Sequence, residues 1–343
     1  MGQADNTARF IELTRRELEA AVSWALRAPS VHNTQPWRWR IRPGAVELHA
    51  DWTRHLPWTD PHRRDLYLSC GAALHHLRVA LAAQGLAVEV ARLPDPERSG
   101  HLATVTATAG EPNSADHNAA ALFPAIRLRR TERRQMSPRP VPTGPLDRCV
   151  EQAHREGAEL VAVTEPGMRA RLAAAISAAA REQAVVPGYG AELAIWTRRY
   201  AGSRDGVSME NVAVPPAGLV GSSPLRRFPL AGLRQPRQPA TEGGPDDAAE
   251  LLVLLTEQDD ELAWLRAGEA TSAVLLSATL AGLATTPLSQ PVEVGSSRSR
   301  LRYQVLGRSD YPQLLIRVGW PASRAEELPV TPRRDLRSVL LPQ

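Results

Sequence analysis

Lysine is missing from this 343-residue chain: all 41 of its basic residues are arginine, set against 37 acids for a net charge of +4. The sequence pI near 9.5 does not make it a nucleic-acid binder. The arginines are scattered among acids, aromatics make up 5% of the chain, and no basic stripe interleaved with aromatics occurs. What the bias does provide is a set of planar cations suited to phosphate that burial does not easily neutralise. Cysteine is nearly absent. Cys70 and Cys149 match no metal or redox spacing, which excludes a disulfide framework, and both are expected to be buried thiols. No run approaches the ~20 apolar residues of a membrane span, and Met1 to Phe10 is polar without an apolar signal core, so no membrane is expected and the cytoplasm is the expected location. G-x-G-x-x-G, a Walker lysine and G-x-S-x-G are all lacking, which leaves dinucleotide-fold, ATPase and hydrolase readings without support. Neither the pair His75-His76 nor the trio His49, His55 and His62 has zinc spacing, so no metal is expected. No acid–base dyad stands out, and no catalytic side chain is assigned.

What is present is a regular alternation of elements. Apolar residues at Ile11, Leu18, Val22, Ala25 and Leu26 predict an amphipathic helix over 11–27. Trp37–Arg42 and Val46–Ala50 flank Pro43-Gly44 as a hairpin. Leu66–Gln84 reads as a helix ended by Gly85, and Leu86–Arg92 and Leu102–Thr108 as strands. Residues 109–145 read as a connector. Pro145–Glu156 begins a helix, Glu159–Val163 is a strand, and Met168–Gln183 is another helix. Residues 200–248, rich in Gly, Ser, Pro and Arg, lose periodicity and are expected to be a lid or a disordered insertion. Ala249–Thr256 and Tyr311–Gly319 are strands around a long helix, Glu261–Gly282. A weak internal repeat runs through this order. Ser69–Leu86 and Gly268–Leu283 are small-residue helices ending in Gly-Leu, and helix 11–27 has a counterpart near 145–156. The expected division is a first half over 1–115, the start of a second over 116–199, the insertion 200–248, and the remainder over 249–343.

Four segments carry candidate chemistry. Residues 28–37, Ala-Pro-Ser-Val-His-Asn-Thr-Gln-Pro-Trp, crowd Ser30, Asn33, Thr34 and Gln35 between two prolines. Such a loop can hold donors and acceptors against a planar ligand, or simply cap its own backbone. In the basic knot at 127–134, Arg129, Thr131 and Arg133 share one side if the backbone is extended. Two guanidinium forks and a hydroxyl on one side suit a phosphate; a solvated basic loop is the alternative. Arg333 and Arg334 follow Pro332 in the tail. Residues 282–291 are expected to stay irregular, with Pro287 and Pro291 lacking donors and Leu288, Ser289 and Gln290 keeping N–H groups between them.

Together these segments resemble the flavin-dependent nitroreductase superfamily, in particular its Acg-like branch, common in actinobacteria, over roughly residues 11–340. Pro29-Ser30 through Asn33-Thr-Gln-Pro-Trp37 is similar to the family's P-S-x-x-N-x-Q-P-W flavin loop. The Arg129-Arg130-Thr131 and Arg133 segment is similar to its R-x-S-x-[RK] phosphate motif, with Met136 where an aromatic is usual. Pro287, Leu288, Ser289 and Gln290 match the loop over the flavin ring, with the Ser289 N–H as the candidate partner of N5. Arg333 and Arg334 resemble the basic pair closing the phosphate site. His32, within the flavin loop, is either a tuning group or a plain loop residue.

The resemblance implies an α+β nitroreductase-like fold in which two half-units imitate the usual homodimer under a lid-like insertion. It implies FMN, one per chain, because the first-half equivalent of Pro287–Gln290, taken as Ala87–Val90, is plain strand, and Thr14-Arg15-Arg16 is a poor phosphate motif. NAD(P)H is the implied electron donor, a small nitroaromatic or quinone the implied substrate, and a monomer the expected state. A lidded, FMN-sequestering protein with little turnover is the alternative, and an Arg-rich interaction protein without flavin a third.

Overall fold

The computed structural model describes residues 13–95, 97, 100–108, 111–197, 199–200, 202–208, 248–322 and 327–342. The start of the first predicted helix and nearly all of the 200–248 insertion lie outside the described residues.

The first half opens with α1 (Arg15–Ala25), started by a Thr14/Glu17 capping box. Strict alternation then sends Trp37, Trp39 and Ile41 of β1 (Trp37–Arg42) inward and its arginines outward. Gly44, at φ +69°, turns the chain into β2 (Ala45–Ala50). Helix α2 (Arg64–Ala82) is buried along almost its whole length. It is followed by β3 (Ala87–Arg92) and β4 (His101–Thr108), completing an antiparallel sheet of order β1-β2-β4-β3. The 109–145 stretch, expected as a bare connector, contains α3 (Ser114–Ala121) and α4 (Phe123–Leu128).

The second half repeats the plan. After α5 (Thr143–Arg155) come β5 (Glu159–Ala162), β6 (Glu250–Thr256), α8 (Glu261–Leu280), β7 (Ala284–Leu288) and β8 (Tyr311–Gly319), in a second antiparallel sheet of order β5-β6-β8-β7. Where the first half has a two-residue hairpin turn, the second inserts α6 (Pro166–Ala184) and α7 (Tyr189–Thr197) before β6. The short helices α9 (Gln290–Glu293) and α10 (Gly295–Arg300) separate β7 from β8, and α11 (Leu336–Val339) lies in the tail. Strand β7 corrects the expectation that 282–291 is irregular. It occupies a sheet edge, where Pro287 forfeits no ladder bond that an inner strand would need.

The two halves meet where α2 crosses α8. A Cβ built on Gly71 would overlap the carbonyl oxygen of Leu265, and one on Gly268 would overlap that of Leu68. The contact is reciprocal, as a twofold axis requires. Gly71 answers to Gly268, Leu68 to Leu265, and the helix-ending Gly85 to Gly282, all at one separation in sequence; the last two have φ of +77° and +75°. That register corrects the repeat alignment: Pro287–Gln290 corresponds to Val90–Leu93, three residues beyond Ala87–Val90. Buried apolar residues of α2 and the first sheet form one core cluster, and those of α8 and the second sheet another.

Candidate flavin and phosphate site

Three non-glycine residues of the 28–37 loop, His32, Asn33 and Gln35, hold positive φ of 46°, 54° and 52°. Such conformations cost roughly 1 kcal/mol or more each and persist only where surrounding bonds enforce them. Here the bonds are explicit. The Gln35 N–H donates to Ser30 Oγ at 2.9 Å, and the Val31 N–H to Ser69 Oγ of α2 at 3.2 Å. Asn33 Nδ2 donates to the carbonyls of Gly206 at 3.0 Å and Pro332 at 3.1 Å. Gln35 Nε2 donates to the carbonyls of Arg204 at 2.9 Å and Asn33 at 3.3 Å, while its Oε1 accepts from the Arg334 N–H at 2.8 Å. The Gln35 amide, expected to face a ligand, is therefore taken up by the protein and knits the loop to the insertion and the tail. Asn33 differs: both its Nδ2 bonds are made, but its buried Oδ1 has no partner.

The insertion reaches this loop through Arg204, Asp205 and Gly206, which sequence reasoning placed near the flavin only as part of a lid. The Gly206 N–H donates to the Asn33 carbonyl at 3.2 Å. Arg54, which carried no sequence signal, bonds the Thr34 carbonyl at 2.7 Å and Asp205 at 2.8 Å.

The tail arrives from the other side. Arg334 pairs with Asp51 at 3.2 Å and bonds the Gln35 and Ser338 carbonyls. Its guanidinium thus holds the tail to the first sheet, contrary to the expected phosphate role. Arg333 has a different environment. Among the described residues its Nη atoms reach the carbonyls of Thr331, Pro332 and Arg27, and its shielded Nε has no partner. Arg129, at the end of α4, is 6% exposed; Nη1 lies 3.5 Å from Thr131 Oγ1, and Nε is again without a partner. Burial, with the charges of Arg130 and Arg133, holds Arg129 down at about 10. Burial, with Arg129, Arg130 and Arg27, holds Arg333 at about 9. Among the described residues no carboxylate pairs with either. Arg130 turns back onto the Arg127 and Arg129 carbonyls.

The knot bridges to β7 through the parallel pair Thr131 and Thr285. Glu132 and Arg134 form a buried ion pair at 2.7 Å, unforeseen in sequence, and Met136 is buried close to Gly319. Thr285 Oγ1 is another buried atom without a partner. At the end of β7, Pro287 pairs with Ile316, and Leu288, expected against a ring face, joins a core cluster with Val253, Val292 and Leu315. Ser289 Oγ donates to Glu293 at 2.6 Å, and Gln290 Nε2 to Gln183 Oε1 at 2.9 Å. The structure therefore joins the 28–37 loop to the tail and the 129–131 segment to β7, and Arg129 and Arg333 act on each other electrostatically.

Elsewhere, Glu47, His49 and His101 lie close enough to share a cation. The carboxylate, however, is already held by Arg40 and Arg42, each at 3.0 Å, and the two rings are stacked 4.7 Å apart. Among the described residues, no helix is long and apolar enough to cross a membrane.

This architecture and motif set define the chain's class, and comparison with known proteins agrees. The chain is 44% identical over 325 residues to Rv3131 of Mycobacterium tuberculosis H37Rv and 34% identical over 330 residues to acg of the same strain, each named "Putative NAD(P)H nitroreductase". The alignments cover 94% and 95% of this chain and 90% and 96% of those proteins. An uncharacterized protein of that strain, Rv3127, is 34% identical over 339 residues, covering 94% and 92%. The chain belongs to the NAD(P)H nitroreductase family, and within it to the branch that contains acg. No family profile matches it. Solved structures similar to it include a nitroreductase-like protein of Anabaena variabilis, with TM-score 0.47, 11% identity and coverage of 90% and 88%. Another is the FMN and NADPH-dependent nitroreductase NfnB of Sphigopyxis sp. strain HMH, with TM-score 0.41, 20% identity and coverage of 65% and 98%.

Proposed function

We propose that the chain is an FMN-dependent oxidoreductase of nitroreductase type, with NAD(P)H as donor, one FMN per chain, and a small electron-poor acceptor such as a nitroaromatic or quinone. One observation carries the reading: the buried Arg129 and the half-buried Arg333 act on each other as like charges, each with a shielded Nε that has no partner and, among the described residues, no carboxylate pair. Buried cations are ordinarily paired, and a dianionic phosphate supplies the missing charge and acceptors. In this reading Arg129 and Arg333 hold the phosphate, Thr131 and Thr285 flank it, Ser30 and Asn33 present the strained loop to the flavin, and the backbone of Pro287–Gln290, not the Leu288 side chain, lies beside the ring. Residues 204–206, fastened to the loop, would limit water there. FMN would supply the hydride chemistry itself.

The single-flavin stoichiometry rests on the second pseudo-symmetric position. Arg92 answers to Ser289, and Glu156 lies in the turn after α5 that corresponds to the loop after α1. There, Glu269, 0% exposed, is bound by Arg92 at 2.6 Å and Arg78 at 2.8 Å, and Arg78 also bonds Glu156 at 2.5 Å. In this reading these ion pairs take the place that a second ring would need. With both half-units in one chain, a monomer is sufficient.

A second reading, storage of FMN with little turnover, is favoured by how firmly Asn33, Gln35 and Arg54 fasten the insertion over the loop. Anaerobic titration of the as-purified protein with NADPH and NADH, following the flavin band, separates the two. Bleaching at one flavin per chain is expected for the oxidoreductase. Reduction by dithionite alone would replace it with the storage reading, and a protein that neither carries nor takes up flavin would end both.

A further inference from the structure

Thr34, Gln35 and Pro36 form the end of the strained loop, and each of their carbonyls is taken by a donor tied to one residue. Arg54 Nη1 donates to the Thr34 carbonyl at 2.7 Å. Arg334 Nη1 donates to the Gln35 carbonyl at 3.2 Å. The Pro36 carbonyl accepts from the backbone N–H of Asp51 at 3.0 Å and from the Cys70 thiol at 3.2 Å. The Asp51 carboxylate faces both arginines: Oδ2 lies 3.2 Å from Arg334 Nη1 and 3.8 Å from Arg54 Nε. Asp51 therefore reaches three consecutive carbonyls, one directly and two through guanidinium groups. Gln35 sits in the middle of them with φ of +52°, a conformation that surrounding bonds must enforce.

The carboxylate is placed to hold both arms at once. Asp51 is 5% exposed. Its Oδ1 accepts from the Thr53 hydroxyl at 2.6 Å, and Oδ2 also accepts from Arg38 Nε of β1 at 3.1 Å. Burial alone would raise its pKa, but the Thr53 bond and the charges of Arg38, Arg334 and Arg54 hold it below the ordinary carboxylate range, so it stays ionised at neutral pH. The arginines carry its influence to segments remote in sequence. Arg54 Nη2 pairs with Asp205 of the insertion at 2.8 Å, and the Arg334 backbone N–H donates to Gln35 Oε1 at 2.8 Å, which brings in the tail. A planar guanidinium with five donors can serve a carboxylate and a carbonyl together. Without the carboxylate charge, each guanidinium loses a strong acceptor and with it part of the orientation that meets the loop carbonyl.

We infer that Asp51 is a positioning residue for the flavin loop: through Arg54 and Arg334 it fixes the carbonyls at 34–36 in the shape presented to the flavin ring. This rests on the FMN reading above. The test is fluorescence titration of the apo protein with FMN and with riboflavin, which lacks the phosphate, for wild type, Asp51→Asn and Arg129→Met. Asp51→Asn keeps the size and the backbone bond to Pro36 and removes the charge. It should weaken both flavins by the same factor, about 10-fold, near the low end for a lost bond to a charged group, because the ring is common to both. Arg129→Met should weaken FMN alone. The visible absorbance of flavin bound to Asp51→Asn should shift from that of wild type, which a loss of stability by itself does not produce. Combining Asp51→Asn with Arg334→Gln should cost no more than the worse single change, since one acts through the other. An unchanged affinity in folded Asp51→Asn, a loss confined to FMN, an unshifted bound spectrum or additive losses each overturn the inference. Should Asp51→Asn not fold, Arg54→Gln, at the more exposed partner, decides it: weaker binding of both flavins with a shifted spectrum supports it, and full affinity overturns it. Any of these failures with Arg129→Met behaving as expected leaves the FMN reading standing. A wild type that binds neither flavin defeats that reading, and this inference with it.

Discussion

Replacing Arg129 by methionine should make the ligand-free protein more stable while weakening its hold on FMN. Burial and two like charges hold the Arg129 guanidinium at about 10, two to three powers of ten below an ordinary arginine. At about 1.4 kcal/mol per power of ten, the folded state carries a penalty on the order of 3 kcal/mol for keeping this cation charged. Methionine keeps an apolar stem of similar reach and removes the charge. It forfeits one long contact with Thr131 Oγ1, at 3.5 Å. A net gain of about 1–3 kcal/mol is expected, a few degrees in the midpoint of thermal unfolding. The sign with pH follows from the depressed value. Between the folded and unfolded pKa values the unfolded chain binds more protons, so wild-type stability rises as pH climbs through about 10. The advantage of the variant is therefore full at pH 7 and shrinks above that range. Inorganic phosphate should narrow the gap from the other direction, by binding the wild-type site. The assay is thermal and urea unfolding of both apo proteins in an anion-poor buffer, with and without phosphate. An Arg129→Met protein less stable than wild type without phosphate would refute the idea that this cation is kept for a ligand.

Two further outcomes follow from the buried charges and thiols. Glu269→Gln leaves Arg78 and Arg92 facing a neutral amide in a fully buried position, and should lower stability by about 3–5 kcal/mol in urea melts; a loss under 1 kcal/mol would mean the cluster is open to water. Burial raises both thiol pKa values, Cys149 to about 11 and Cys70 further, so a thiol reagent at pH 8 should find neither cysteine in the native protein and both after unfolding.

Much of the fold was legible because the signals were local. Trp37, Trp39 and Ile41 alternate with arginines, and Gly85 and Gly282 end their helices in the left-handed conformation. Helix α3 was missed although Asn113 and Asp116 form a capping box, because its Ala-rich body has no amphipathic stripe. Strand β7 was misread because Pro287 argues against an inner strand, and only the sheet order places it at an edge. In the site, the four segments were found by their residue types, but the division of labour within them was not. Nothing in a sequence separates Arg333, which pairs with no carboxylate among the described residues, from Arg334, which reaches Asp51. Likewise Arg54, Asp51 and Glu269 take their meaning from neighbours more than a hundred residues away.

The crossing of α2 and α8 at Gly71 and Gly268 has a consequence for how the protein can change. In a symmetric dimer of identical chains every substitution is made twice, so a residue that improves one site must also be tolerated at the other. Here the same crossing joins halves encoded separately. A serine can stand at 272 where its mate is His75, and an arginine at 92 where its mate is Ser289. Dilution cannot part the halves, because their meeting is intramolecular. One half is thereby free to become a structural ion cluster without imposing the same residues on the other, where the anion site is proposed.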